Sequence, residues 1–270
     1  YEARPNVTVD GFGLCLKTGN VVILRGGKEA INTNIATISI IQDALEKCGL
    51  PKEAVQLIED TSREVANEFM KLDDYLDVLI PRGGAGLIKA VLANSTVPVI
   101  ETGAGNCHIY IDSEASIDMA VPIIINAKTQ RPGVCNAVEK ILVHKDIAKE
   151  ALKPIYESLK EHNVEVRGDN RVKEIIPEVI ETTEEDWSTE YLDFTIAIKI
   201  VDSIEEAIAH INKYSTKHSE SIVTNNYFHS QKFLDEVDSA AVYVNASTRF
   251  TDGSVFGFGD SVISMPLLAL

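Results

Sequence analysis

The chain has 270 residues, with 25 lysines and arginines against 41 aspartates and glutamates, and a formal net charge of −16. This charge argues against non-specific nucleic-acid binding, which needs clustered cations, and against docking on an anionic membrane surface. No apolar run reaches the roughly 20 residues of a membrane helix, and no secretory signal is visible. The four irregularly spaced cysteines indicate no metal site. An acidic chain of this size with no visible signal predicts a cytoplasmic protein, in which thiols stay reduced.

Short β-branched runs alternate with helix-period runs through the first hundred residues. The pattern predicts strands at 21–24, 55–58, 78–81 and 97–100. It predicts helices at 29–47, from residue 61 or 62 to about 72, and at 87–92. Strands and helices alternating at this pace predict an α/β fold with a doubly wound parallel sheet. Such a sheet binds ligands at the carboxyl ends of its strands.

A second α/β unit follows, with a boundary near 102–107. Its predicted strands lie at 108–111, 140–143, 164–166, 195–201, 221–224 and 241–244. Its predicted helices lie at 117–128, 147–162, 204–213 and 230–237, and residues 168–194 read as irregular and acidic. Since no low-complexity linker separates the units, we expect a cleft between them, which is a preferred place for a cofactor.

Cys135 is the first candidate for covalent chemistry. It follows Arg131 and a Pro-Gly break, and a thiol at a turn beside a cation can ionise and react as a thiolate. The alternative is a buried, inert cysteine, which is the commoner fate of the residue. We interpret Cys15 and Cys48 as packing residues and Cys107 as the start of a strand.

Two glycine turns open predicted helices: one contains Arg25, Gly26, Gly27 and Lys28, and the other contains Gly83 and Gly84. Glycines let a ligand approach the backbone, and a helix start offers free N–H groups to an anion. Two such turns predict a nucleotide with several phosphates, although an ordinary strand-to-helix turn explains either one alone.

Two further polar segments follow predicted strands. Glu101 precedes a glycine-rich stretch, and it is either a ligand group or a surface loop carboxylate. Ser247, Thr248 and Arg249 follow the strand at 241–244 and suit a carboxylate, because an arginine can grip both oxygens. The alternative for this second segment is a polar loop.

Five motifs occur in order along the chain: YEARPNVT at 1–8, GNVVILRGG at 19–27, IPRGGAG at 80–86, QRPGVCN at 130–136 and NASTRF at 245–250. Together they resemble the glutamate-5-semialdehyde dehydrogenases, also called gamma-glutamyl phosphate reductases, of the aldehyde dehydrogenase superfamily. The resemblance runs from residue 1 to about 259. It implies an oxidoreductase of proline biosynthesis in which NADPH reduces L-glutamyl 5-phosphate to L-glutamate 5-semialdehyde, with release of phosphate, through a cysteine thioester.

The resemblance also implies catalytic and substrate-binding residues. Cys135 matches the nucleophile, and Asn6 matches the asparagine that helps stabilise the oxyanion. Glu101 matches the glutamate that acts as a base in hydrolytic relatives, a role that a phosphate-releasing enzyme needs less. We expect Arg131 and Arg249, with the hydroxyls of Ser247 and Thr248, to hold the phosphate or the α-carboxylate of the substrate.

For the cofactor, the resemblance implies three contacts. Glu190 matches the glutamate that holds the nicotinamide ribose, and Arg25 matches a superfamily lysine near the adenosine ribose. Lys28 falls where NAD-preferring relatives carry a glutamate, so a cation there favours the 2′-phosphate of NADP(H).

The resemblance sets the expected domains. Residues 1–104 are the NADP-binding domain without its N-terminal part, 105–245 the catalytic domain, and 246–270 a segment returning to the cofactor domain. We therefore expect part of a longer, homo-oligomeric protein, with glutamate 5-kinase as a candidate partner. The alternatives are an NADP-dependent dehydrogenase for another small aldehyde, and an inactive remnant that only binds a nucleotide or a partner.

Overall fold

The computed structural model of the protein describes residues 6–100, 104–253 and 255–257. The chain divides into two compact units, Tyr1–Thr102 and Gly103–Leu270. In the described ranges, no helix has both the length and the apolar composition that crossing a bilayer requires.

The first unit contains four α-helices and two short strands in its described part. They are α1 (Asn6–Lys17), β1 (Val22–Leu24), α2 (Ile31–Lys47), β2 (Val55–Leu57), α3 (Arg63–Phe69) and α4 (Ala85–Asn94). Strands β1 and β2 pair in parallel, and α2 packs Ile38, Ile41 and Leu45 against them. Helix α3 begins where the Ser62 hydroxyl accepts a hydrogen bond from the Val65 amide, which decides between the two predicted caps.

The predicted strands at 78–81 and 97–100 are wrong in extent. The structure has a single parallel bridge there, between Leu79 and Val99. The Leu79 amide donates to the Pro98 carbonyl at 2.8 Å, and the Ile100 amide donates to the Leu79 carbonyl at 2.9 Å. Pro81 and Pro98 have no N–H group, so neither segment can form the full series of backbone hydrogen bonds that a strand needs.

The second unit is built on one sheet of seven strands with the order β6-β5-β7-β4-β3-β8-β9. The strands are β3 (Cys107–Ile111), β4 (Val138–His144), β5 (Glu165–Gly168), β6 (Ile180–Glu181), β7 (Thr195–Val201), β8 (Ser219–Val223) and β9 (Ala241–Val244). Every neighbouring pair is parallel. This confirms the predicted parallel α/β fold.

Helices cover both faces of this sheet. They are α5 (Ile117–Thr129), α6 (Lys145–Glu161), α7 (Asn170–Ile175), α8 (Ile204–Tyr214) and α9 (Tyr227–Glu236). Ile109 and Ile141 pack in one core cluster with α5 and α6, whereas their strand neighbours Tyr110 and Leu142 pack in another with α8 and α9. Successive residues of a strand point to opposite faces, so both faces are buried.

Two stretches differ from prediction. Residues 168–194, predicted to be irregular, contain α7, β6 and a 3-10 helix at Glu184–Trp187. Side-chain caps start these short elements: Asp169 accepts from the Val172 amide at 2.8 Å, and Asp186 accepts from the Thr183 amide at 2.7 Å. Apolar periodicity cannot reveal elements that short.

The described part of the predicted returning segment, 246–253, lies in the second unit. The Ser221 hydroxyl donates to the Ala246 carbonyl at 2.7 Å, and the hydroxyls of Ser219 and Thr251 are 2.6 Å apart. The chain therefore runs from the carboxyl end of β9 back along β8 towards the amino ends of the strands. Residues 258–270 lie outside the described residues.

Candidate functional site

The segments that precede four strands of the second unit meet around Cys135. Gly105 precedes β3, Cys135 precedes β4, Glu190 precedes β7 and Thr216 precedes β8. The Glu190 carboxylate and the Thr216 hydroxyl accept hydrogen bonds from the amides of Gly105 and Asn106, at 2.6 and 2.9 Å. In a parallel sheet all amino ends share one edge. The predicted site residues Cys135 and Glu190 therefore lie at the amino edge of this sheet. The expectation of ligands at the carboxyl ends concerns the strands of the first unit, and it stays a prediction.

Gly105 lies directly against the backbone of Cys135. A Cβ atom at position 105 would be 1.6 Å from the carbonyl oxygen of Cys135 and 2.4 Å from its Cα. No side chain fits in that space, so glycine is required for the approach of the two segments. Sequence reasoning noted the glycine run after Glu101 but did not assign Gly105 a role.

Two thiols lie close together but differ in environment. Cys107 is fully buried, and its Sγ donates to the Cys135 carbonyl at 3.2 Å. Burial, reinforced by the nearby Glu220, raises the pKa of the Cys107 thiol well above its usual range, so this thiol stays protonated and acts as a donor. Cys135 is partly exposed. Of the two, Cys135 is the thiol that a substrate can reach.

Two arginines lie at the Cys135 loop. The Arg249 guanidinium donates through Nε to Gln130 at 3.2 Å and through Nη1 to the side-chain oxygen of Asn136. Burial lowers the pKa of Arg249, and the charge of Arg131 acts in the same direction. Arg131 is exposed. Two guanidinium groups beside one thiol form a place for an anion.

The hydroxyls of Ser247 and Thr248 are used within the protein. Ser247 accepts from the Arg249 amide at 3.2 Å, and Thr248 donates to the Asn136 carbonyl at 2.7 Å. Thr248 has no exposed surface. Both residues therefore shape the turn that carries Arg249, and a direct contact of either with substrate stays a prediction.

The other predicted residues belong to the first unit. Among them, Glu101 lies outside the described residues. Asn6 begins α1, and its side-chain amide donates to Asp10 at 3.2 Å. Arg25 follows β1 and donates to the carbonyls of Thr61 and Ser62, each at 2.7 Å. Arg25 thus connects the end of β1 to the start of α3.

The two glycine turns open helices as predicted. Gly26 is buried and Gly27 precedes the 3-10 helix Lys28–Ala30, in which Lys28 is exposed. Gly83 precedes Gly84, which is the N-cap residue of α4 and has an extended backbone. Neither turn has a left-handed φ, so backbone conformation does not require glycine there, and the role of these glycines in binding phosphates stays a prediction.

A cavity of about 250 Å³ lies on the first unit, beside α2 and the end of β2. Its lining residues are Ile35, Ile38, Ser39, Gln42, Leu57 and Glu59. Half of this lining is apolar and half is polar, with the hydroxyl of Ser39, the amide of Gln42 and the carboxylate of Glu59 on the polar side. The cavity was not predicted from the sequence. Residues 35, 38, 39 and 42 share one face of the helix, but such spacing usually indicates a face buried in the hydrophobic core.

In the part of the chain that the structure describes, no group of three or more His, Cys, Asp or Glu side chains could hold a metal ion.

Comparisons with known proteins identify a family model, curated relatives and solved structures that are similar to this chain. The model of the aldehyde dehydrogenase family matches residues 5–193. A gamma-glutamyl phosphate reductase of Clostridium perfringens (strain SM101 / Type A) is 66% identical over 97% of this chain, which spans 63% of that relative. The crystal structure of a gamma-glutamyl phosphate reductase from Thermotoga maritima is 58% identical, with a TM-score of 0.94 over 96% of this chain and 63% of that one. An engineered glycolyl-CoA reductase with bound NADP⁺ (17% identical, TM-score 0.71 over 93% of this chain and 65% of that one) shares the fold.

Proposed function

Since the chain belongs to the aldehyde dehydrogenase family, we propose that it reduces L-glutamyl 5-phosphate to L-glutamate 5-semialdehyde with NADPH and releases phosphate. The two close relatives described above support this choice, and the chain spans 63% of their length. The observation that carries the proposal is the setting of Cys135. It is a partly exposed thiol on a backbone held by Gly105 and Cys107, with two arginines beside it.

In the proposed mechanism, the Cys135 thiolate attacks the acyl carbon of the substrate. A C–S bond forms, the C–O bond to phosphate breaks, and phosphate leaves with the electron pair of that bond, which yields a thioester on Cys135. Each hydrogen-bond donor to the oxyanion is worth on the order of 3 kcal/mol. The predicted donor is the side-chain amide of Asn6, together with a backbone N–H.

When bound, a nicotinamide cofactor would supply a hydride to the acyl carbon; the C–S bond then breaks, the aldehyde leaves and Cys135 is regenerated as the thiolate. We assign the phosphates of this cofactor to the turn at Gly26 and Gly27, which precedes the 3-10 helix Lys28–Ala30, and one of its rings to the cavity beside α2. Lys28 is exposed and makes no hydrogen bond or ion pair with any residue that the structure describes, so its charge is available to a 2′-phosphate. We assign NADP(H) over NAD(H) on this charge, and Glu190 to the nicotinamide ribose.

The assay that tests the proposal is the reverse reaction. We expect the purified protein to reduce NADP⁺ only when glutamate 5-semialdehyde and inorganic phosphate are both present, because phosphate must accept the acyl group from Cys135. A hydrolytic dehydrogenase for another aldehyde would turn over without phosphate, since water takes that place. An inactive remnant would bind the nucleotide without turnover, and iodoacetamide would not modify Cys135 faster than Cys48. Either of these results overturns the proposal.

Arg131 offers a direct test of the anion site. Arg249 also holds Gln130 and Asn136, whereas Arg131 is exposed and makes no hydrogen bond with the residues that the structure describes. We expect Arg131→Ala to raise the KM for the anionic substrate about 10- to 100-fold. This is the change expected when one charge-assisted hydrogen bond to the substrate is lost. Arg171→Ala, which removes a partly exposed arginine paired with Asp202, is the control. An unchanged KM for both the semialdehyde and phosphate would remove Arg131 from the site.

A further inference from the structure

Three ionisable side chains at the base of the Cys135 loop are fully buried. Lys128 lies in the last turn of α5, and Glu139 and Lys140 lie near the start of β4, so they stand on either side of Cys135 in the chain. All three are 0% exposed, and the Lys128 ammonium is 3.0 Å from Oε2 of Glu139. Burying charge is costly unless every group is paired. The ion pair closes the loop that carries the thiol.

The same side chains also hold the segment that carries Glu190. Oε1 of Glu139 accepts a hydrogen bond from the Leu192 amide at 3.4 Å. The Lys140 ammonium donates to the Thr189 carbonyl at 2.7 Å and lies 4.4 Å from the centre of the Tyr191 ring. The contacted backbone groups therefore flank Glu190 on both sides.

Outside the three buried side chains, two hydroxyls also hold this segment: Thr189 donates to the Glu185 carbonyl at 2.8 Å, and Tyr191 donates to the Asp186 carboxylate at 2.7 Å. Residues 189–194 lie in neither a helix nor a strand, and Leu192 has a left-handed φ of 57°. Such a conformation is unfavourable for a leucine, so its surroundings must impose it. Glu139 binds the amide of this residue, which makes the buried carboxylate part of that constraint.

Glu190 then connects back to the nucleophile. Its Oε1 accepts from the Gly105 amide, and Gly105 lies against the Cys135 backbone. Glu190 is thus connected to the Cys135 backbone through Gly105, while its neighbours Thr189 and Leu192 are held by Lys140 and Glu139 within the same unit. Burial lowers the pKa of Lys140 to about 7, partly offset by the charge of Glu139. The amine donates to Thr189 in either charge state.

We propose that Lys128, Glu139 and Lys140 are positioning residues that fix Glu190 relative to Cys135 and so set the affinity for the nicotinamide half of the cofactor without touching it. This inference rests on the proposed function, because it takes Glu190 as the ligand of the nicotinamide ribose. A loosened segment weakens cofactor binding, whereas the substrate, which we assign to Arg131 and Arg249, binds as before.

The first test is Lys140→Met, which keeps the length of the side chain and removes the donor to Thr189. Hydrogen exchange of the backbone amides in 187–193 should become at least about tenfold faster, and the KM for NADP⁺ should rise about tenfold. The KM for glutamate 5-semialdehyde should stay unchanged. Partial misfolding alone would lower kcat and leave both KM values as they are. The control is Lys199→Met on the neighbouring strand β7, since that lysine pairs with Glu206 instead.

A matched pair of double variants tests Glu139 without leaving an unpaired charge. Lys128→Met with Glu139→Gln keeps an acceptor for the Leu192 amide, so the KM for NADP⁺ should stay within about threefold of the parent. Lys128→Met with Glu139→Leu removes that acceptor, and the KM should rise about tenfold. The two proteins differ only in one polar group. Equal KM values in the two would overturn the role of Glu139.

The failures can be told apart. Unchanged exchange at 187–193 in Lys140→Met overturns the positioning role, whatever the activity. Faster exchange with an unchanged KM for NADP⁺ overturns the assignment of Glu190 to the cofactor, and with it this part of the proposed function.

Discussion

Replacing Cys135 by alanine is expected to lower the rate of NADP⁺ reduction by roughly 10⁴-fold or more, the order of loss when a covalent nucleophile is removed. The remaining groups still bind substrate and cofactor, so the KM values of any residual activity should change little. The measurement is the rate of NADPH formation with saturating semialdehyde and phosphate. Because alanine is smaller than cysteine and the site is only partly buried, the free energy of unfolding should change by about 1 kcal/mol at most.

The matched control is Cys48→Ala. Cys48 is exposed at the end of α2, so its interpretation as a packing residue is wrong. Because it is exposed and away from Cys135 in the chain, its removal should leave the rate unchanged. Comparable rates for Cys135→Ala and Cys48→Ala would contradict thioester chemistry at position 135. The Cys107 thiol cannot serve as a substitute nucleophile, since it is fully buried and its pKa is raised well above the usual range by that burial.

Gly105→Ala is expected to destabilise the second unit by about 3 kcal/mol or more, at the upper end of the cost of overpacking. The added methyl group would meet the carbonyl oxygen of Cys135 at 1.6 Å, and this neighbour is backbone that no rotamer change can move away. The segments before β3 and β4 must therefore separate. This breaks two hydrogen bonds, from the Gly105 amide to the Glu190 carboxylate and from the Cys107 thiol to the Cys135 carbonyl. Urea denaturation measures the effect as a lower midpoint, and iodoacetamide labelling of Cys135 reports the displaced loop.

Gly133→Ala is the control for that substitution, because Gly133 lies in the same loop as Cys135. A Cβ atom at position 133 would be 3.6 Å from the Leu192 carbonyl oxygen, an ordinary contact. We expect a change in stability below about 1 kcal/mol. Similar midpoints for the two variants would show that the loop around Cys135 yields easily, and the close approach of Gly105 would then have no structural role.

Local pattern accounts for much of the fold. The prediction of strands at 195–201 and 241–244 is confirmed without change as β7 and β9, and the parallel sheet with helices on both faces is confirmed. These features follow from hydrophobic periodicity, which each segment carries by itself. The same reasoning failed at 78–81, where Pro81 breaks the hydrogen-bond ladder, and at 168–194, where caps replace periodicity.

The candidate site, like the fold, could be predicted from the sequence only in part. The sequence alone determined the α/β class, the motif around Cys135 and its resemblance to a family, because these depend on the order of residues in short segments. Only the tertiary structure brought Cys135 and Glu190 together at the amino edge of the second sheet. It also brought Arg249 to Asn136, 113 residues away in the chain, and set Glu139 between Lys128 and Leu192. The physical reason is that a buried charge or a close backbone approach depends on partners distant in sequence, which no local pattern records.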